Sequence, residues 1–227
     1  MPFAALLSIL AVSAFLLYLA YPRLHASLLY LPVDTSIKNY YATGEANPAQ
    51  LEGLRERARQ AIDAYPHHRY YDGLSLLYYV TAADADNRLY ERREAFEASI
   101  VAAEASLDRA PTQPRAWLRI AQARAWLRYA PEQVIEALKM AIYTGRVEPS
   151  LFRSRLALGL AYLPRMDGEA RALMRDQLLL AWDMQRNDIA GALKRGELPL
   201  RPVEDLLAGI HETVLDEIRE AAGGPAR

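Results

Sequence analysis

From Phe3 to Tyr21 the chain reads FAALLSILAVSAFLLYLAY, with no charge, Gly or Pro. As a helix rising about 1.5 Å per residue this run reaches roughly 28 Å, close to the ~30 Å of a bilayer core. It is apolar on every face while the later helices are two-faced, so it reads as a transmembrane helix rather than a buried core helix. Pro22, Arg23 and His25 close it, and Tyr18, Tyr21 and Arg23 suit an interfacial belt. A cleaved signal peptide wants a basic n-region and small residues at the cut, whereas only Met1 and Pro2 precede this run and tyrosines end it. The expectation is a retained anchor over residues 1–23.

Turn signals at Pro32, Gly44 and Asn47-Pro48 make residues 24–50 read as a tether. From residue 51 the apolar period is helical throughout. Leu51, Leu54, Ala58, Ala61, Ile62 and Tyr65 form one stripe, ended by Pro66. Tyr71, Leu74, Leu77 and Tyr78 form the next, followed by a polar break at 84–87. Further helices are predicted from about 89 to 109, 114 to 129, 131 to 144, 150 to 162, 168 to 184 and 203 to 221. The last carries Val203, Leu206, Leu207, Ile210, Val214 and Ile218. Prolines at 114 and 131 sit where helices begin. No stretch alternates with a period of two, so the predicted fold class is all-α: one N-terminal transmembrane helix followed by an irregular array of helical hairpins. The expected organisation is a helical domain over 51–185, C-terminal capping helices over 186–221 and a disordered tail over 222–227.

Spacing within the array recurs. Ser99, Ala103 and Ser106 put small residues at intervals of four and three, Pro111 follows, and Trp117, Ile120, Ala121 and Arg124 open the next segment. Similar intervals appear at Leu54, Ala58, Ala61 and Pro66, and at Val134, Leu138 and Ala141. The pattern resembles a degenerate tetratricopeptide (TPR) array over about 51–182, strongest at APTQPRAWLRIAQA. It departs in the long connection at 144–149 and at Arg155, which stands where a Trp belongs. Each such pair cannot bury its apolar face alone, so stacked neighbours supply the core.

With PRAWLRIAQA, ALKMAIYTGRVEPSLFRSRLALGLAY and RALMRDQLLLAW behind an anchor, the chain resembles VpsP-like membrane-anchored TPR-type proteins of bacterial polysaccharide biosynthesis clusters. That resemblance implies an accessory scaffold of exopolysaccharide or envelope polysaccharide biosynthesis or export, acting by protein–protein interaction with another envelope-assembly protein. It also implies a single-pass protein of the bacterial inner membrane with its folded domain on the periplasmic side. The residues give an opposing cue on the side: Arg23, His25 and Lys38 follow the span, which by the positive-inside rule favours the cytoplasm.

Composition alters this picture in one respect. The 227 residues carry 27 Lys+Arg, 28 Asp+Glu and no Cys, a net charge of −1. That balance argues against a nucleic-acid binder, and the missing Cys removes thiol catalysis and Cys-ligated zinc. The charge is unevenly spread: residues 24–108, 109–175 and 176–227 carry −5, +7 and −4, with Arg23 outside the three blocks. Arg109, Arg115, Arg119, Arg124, Arg128, Arg146, Arg153 and Arg155 make up most of the positive block. Arginine suits bidentate contact with carboxylates and phosphates. In TPR geometry Arg115, Gln122, Trp126 and Arg153 would line the inner, partner-binding face. An alternative function is therefore an anionic glycan-binding module built on 109–175, and the bland reading is solvated arginines exchanging ion pairs with acidic neighbours.

No phosphate-loop, dinucleotide, zinc-protease or hydrolase-elbow motif occurs, so no enzyme activity, catalytic residue, metal or cofactor is predicted. His67-His68 beside Pro66 reads as a turn, His211-Glu212 as a surface pair, and Asp84-Ala85-Asp86 as turn and capping residues rather than metal-binding carboxylates. In the pairs Tyr40-Tyr41, Tyr70-Tyr71 and Tyr78-Tyr79, one member is expected to face the core.

Overall fold

The computed structural model describes residues 2–83 and 88–223, and for residues 2–7 the backbone alone. The chain is 83% helix, and no strand occurs among the described residues. It divides into two compact units, Met1–Pro111 and Thr112–Arg227.

The first unit holds α1 (Pro2–Thr43), α2 (Pro48–Ala64), α3 (His68–Ala83) and α4 (Leu89–Leu107). Its main departure from the sequence reading is α1. Where residues 24–50 were expected to form a tether, the helix continues through Pro22 and Pro32 to Thr43, and only the stretch 44–47 connects it to α2. A proline inside a helix removes one backbone hydrogen bond and crowds the carbonyl four residues back, at a cost of about 3 kcal/mol. Packing offsets this. Ala26, Tyr30 and Val33 are buried at 0%, 4% and 0% exposure, with Leu29 and Ile37 packed beside them. Steps of four, three and four put Ala26, Tyr30, Val33 and Ile37 on one helical face, and that face docks on α2 and α3. Burying a large apolar side chain contributes about 1.5–3 kcal/mol, so a few of them outweigh the prolines.

Asn47 starts α2, its side-chain Oδ1 accepting from the Ala49 backbone N–H at 3.1 Å, and Leu51, Leu54, Ala58 and Ala61 are buried as the stripe predicts. On α3 the buried face is Tyr70, Gly73, Leu74 and Leu77; Tyr71 and Tyr78, expected inward, are only half-buried. The shift follows from Gly73, which makes room for α1. A Cβ there would lie 1.8 Å from the Tyr30 hydroxyl and 2.9 Å from Ile37 Cδ1.

Helices α3 and α4 are joined by hydrogen bonds that also define their direction. Ser106 Oγ donates to the His68 carbonyl at 2.8 Å, Ser75 and Ser99 bond to each other, and Arg92 Nε donates to the Ala82 carbonyl at 2.9 Å. Advancing seven residues along α3 means retreating seven along α4, so the pair is antiparallel. At its centre the Ser75 hydroxyl donates to the Ser99 carbonyl at 2.8 Å and the Ser99 hydroxyl to the Ser75 carbonyl at 2.9 Å. Such reciprocal contacts require close backbone approach, which is what small residues at 99, 103 and 106 permit.

The second unit holds α5 (Pro114–Trp126), α6 (Pro131–Tyr143), α7 (Pro149–Tyr162), α8 (Gly168–Lys194), α9 (Leu200–Leu207) and α10 (Glu212–Ala221). Proline opens α5, α6 and α7, where its missing N–H costs nothing. Helix α5 stops short of the expected Tyr129 because Arg128 takes φ +59°. Helix α8 breaks at Gln185, whose backbone is non-helical, so its first segment ends at 184 as expected and a further helical segment, not expected, runs on to Lys194. The helix expected over 203–221 is two, because Gly209 adopts φ +74° and its N–H donates to the Glu212 carboxylate. Ile210, expected on the apolar stripe, is consequently 55% exposed, while Val203, Leu206, Leu207, Leu215 and Ile218 join the core. Of the expected tail, Ala222 and Gly223 close α10; residues 224–227 lie outside the described residues.

Candidate functional site

The four residues expected on a partner-binding face all belong to the second unit. Arg115, Gln122 and Trp126 fall on one side of α5, at steps of seven and four. Gln122 and Trp126 are half-buried. Arg115 forms an ion pair with Glu148 at 3.3 Å and donates to Ser150 Oγ at 3.2 Å. Arg153, on α7, reaches Asp188 at 3.7 Å and pairs closely with Glu197. Charge reversal at either arginine would therefore set two like charges together.

Several other arginines of the basic block are also engaged. Arg146 pairs with Asp176, and Arg109 lies over the Tyr71 ring at 4.3 Å. Arg119 and Arg155 are 5% and 0% exposed, so the expected surface of eight arginines is corrected for these two. The acidic third block supplies Asp176 to Arg146 and Asp188 and Glu197 to Arg153, so the two blocks partly neutralise each other within the second unit. Each exposed pair is worth only about 0–1 kcal/mol.

Arg155 has a structural part to play in the second unit. One guanidinium nitrogen donates to the Gly145 carbonyl and to Gln177 Oε1, each at 2.9 Å, and the other donates to the Ala141 carbonyl. Gln177 in turn donates to the Arg146 carbonyl at 2.9 Å. Together they satisfy carbonyls at the end of α6 and in the long connection after it, which no aromatic side chain could do. Burial pushes the Arg155 pKa down to about 10, so the group remains charged at neutral pH.

A second concavity was not foreseen. It lies in the first unit, where the turn between α2 and α3 faces α1 just beyond the apolar run, and has a volume of about 500 Å³. Arg23 opens it, with its guanidinium 5.1 Å from the Tyr65 ring centroid. Ser27 Oγ and the Tyr70 hydroxyl are 3.1 Å apart, and the Tyr30 hydroxyl donates to the Arg69 carbonyl at 3.1 Å. At the far end Asp34 is held by Arg69 and by Lys38, the latter at 2.9 Å. Arg23, by contrast, has no carboxylate partner among the described residues.

His67 completes the wall. Its Nδ1 accepts from the Arg69 backbone N–H at 3.3 Å, which makes Nε2 the protonated nitrogen of the neutral ring and a donor. Burial, then the nearby His68, Arg69 and Arg23 charges, lower its pKa. The cleft thus presents two guanidiniums and hydroxyl and imidazole donors against one compensated carboxylate. The sequence signal was the stripe 26, 30, 33 and 37, hidden by Pro32 within a segment that read as turns.

His67 and His68 stand with ring centroids 4.3 Å apart, and no three His, Asp or Glu side chains converge as a metal site among the described residues. Asp84-Ala85-Asp86 lies outside the described residues. Tyr70 is the core-facing member of its pair; Tyr40, Tyr78 and Tyr79 are half-buried and Tyr41 is exposed. No family model, no curated protein and no solved structure matches the chain.

Proposed function

We propose that this protein is a single-pass membrane scaffold whose TPR-like hairpins hold another protein at the bilayer surface, in envelope polysaccharide biosynthesis or export. The observation that carries the reading is α1: one helix long and apolar enough to cross a membrane that continues, without a linker, into the core of a helical unit. Confinement at the bilayer raises the domain's effective concentration near membrane partners, which is the mechanism of recruitment. The antiparallel α3–α4 pair with its small-residue contact and the proline-started α5–α6 pair support the TPR-like assignment. The family resemblance supports the inner membrane, the periplasmic side and the polysaccharide context. The glycan-binding alternative would draw on a block in which Arg119 and Arg155 are buried and Arg115, Arg146 and Arg153 already hold carboxylates.

Photocrosslinking from position 122 of the full chain in intact membranes tests the reading. The expected result is an adduct with one protein of the envelope polysaccharide machinery that disappears with Trp126→Ala. Adducts with glycan alone would reverse it. A topology reporter fused after Arg227 is expected to be active only on the periplasmic side.

A further inference from the structure

We propose that the cleft between the start of the docked half of α1 and the α2–α3 turn binds the phosphate of an anionic phospholipid headgroup. The inference rests on α1 crossing the bilayer and adds a specific lipid contact to it. Arg23 is two residues beyond Tyr21, a rise of about 3 Å, and Ser27 about 9 Å. The headgroup layer extends roughly 5–7 Å on each side of the hydrocarbon core. The mouth of the cleft therefore lies at phosphate depth. Tyr18 and Tyr21, 76% and 64% exposed, mark the same boundary.

The chemistry of the mouth fits a phosphate ester. Arg23 presents a guanidinium fork with no carboxylate to occupy it, and Tyr65 beneath it limits the directions it can take. His67 adds an imidazole N–H, and the paired hydroxyls of Ser27 and Tyr70 can turn a proton toward an oxyanion. Asp34 would repel an anion, but it sits about 16 Å along α1 from Arg23 and is neutralised by Arg69 and Lys38. The folded unit supplies Tyr65 and His67 from the turn and Arg69 from the start of α3, so the site exists only while the second half of α1 is docked. An unstructured tether carrying Arg23 alone would offer a point charge without selectivity.

Native mass spectrometry of the full chain, released from micelles with phosphatidylglycerol or phosphatidylcholine of identical acyl chains, tests this. The wild type is expected to hold phosphatidylglycerol about five- to tenfold more tightly, because the choline cation of phosphatidylcholine sits beside the same phosphodiester and offsets about one charge-assisted contact with Arg23. Arg23→Gln is expected to bring that ratio close to one, and His67→Phe to lower it about twofold to threefold, with helical circular dichroism retained in both. Arg57→Gln, on the exposed side of α2, is expected to leave it unchanged. A ratio that survives Arg23→Gln, or falls equally with Arg57→Gln, overturns the proposal. So does loss of the preference when glycerol phosphate is added at the lipid's concentration, since the site would then take free phosphate equally well. Alkaline extraction of membranes separates the two readings: release of the wild type would remove the membrane span, whereas retention without lipid preference would remove only the lipid site.

Discussion

Val12 and Val33 belong to the same helix and carry the same side chain, yet one is 57% exposed and the other 0%. Residues from 8 to 25 are exposed on nearly every side; beyond them Ala26, Tyr30 and Val33 are buried and Ile37 partly buried, against α2 and α3. The first half satisfies its backbone within itself and needs only an apolar surrounding. The second half carries Asp34 and Lys38 and depends on the folded unit for its stability. One helix thus joins an exposed run, long and apolar enough to cross a membrane, to a half packed into a folded unit, and the change occurs within a turn of Pro22.

The sharpest way to break this comparison is the same substitution in each half. Val33→Asp buries an unpaired charge and is expected to unfold the first unit, a loss of several kcal/mol, read as a collapse of its cooperative thermal transition. Val12→Asp is expected to leave that transition within about 0.5 kcal/mol and instead to weaken membrane retention, by about 2.5–3.5 kcal/mol of insertion free energy. Equal effects from the two would mean that α1 is not divided this way.

Gly73→Leu is next in size. The new side chain would enter the space of the Tyr30 hydroxyl and Ile37, and overpacking of this kind costs about 1–3 kcal/mol. Denaturant unfolding is expected to show that loss, and limited proteolysis to cut between Arg23 and Gly44. Tyr30→Gly introduced with it is expected to relieve the clash without restoring full stability.

These tests also mark what could be read from the chain beforehand. The helical class, the apolar span and the buried stripe of α2 were evident because uniform apolarity and the 3.6-residue period leave little choice. The docked half of α1 was not, because Pro32 and the polar residues Asp34 and Lys38 signal a turn locally, and only the complementary gap at Gly73 shows what Tyr30 is for. That Arg115, Gln122 and Trp126 share one side of α5 follows from their spacing, whereas their reading as a partner-binding face came from the TPR-like resemblance. The burial of Arg119 and Arg155 did not, since sequence shows a charge but not the carbonyls that gather around it. The cleft needed the α2–α3 turn to be placed beside Arg23, a contact more than forty residues away in sequence.

A smaller effect is expected at the α3–α4 contact. Ser75→Ala and Ser99→Ala should each cost about 1 kcal/mol, and a double-mutant cycle should show a coupling of at least about 0.5 kcal/mol because each hydroxyl bonds the other's carbonyl. Additive losses would contradict the reciprocal pair.

The smallest concerns pH. Since the folded pKa of His67 lies below its ordinary value of 6.5, its contribution to stability is present above that pH and is lost as pH falls through the folded value. His67→Gln is expected to flatten that decline between pH 7 and 5 in thermal unfolding, and an unchanged slope would remove His67 as its source.

The chain has no Cys, so single cysteines can be introduced from 8 to 43 and spin-labelled in the full protein reconstituted in bilayers. Collision of each label with oxygen and with a water-soluble nickel complex tests the two-part helix most directly. Labels from 8 to 21 are expected to meet oxygen on every face and the nickel complex on none. From 24 to 40 both should fall with helical period, with minima at 26, 30, 33 and 37. Mobile labels uniformly open to the nickel complex from 24 to 43 would contradict the continuous helix and restore a flexible tether.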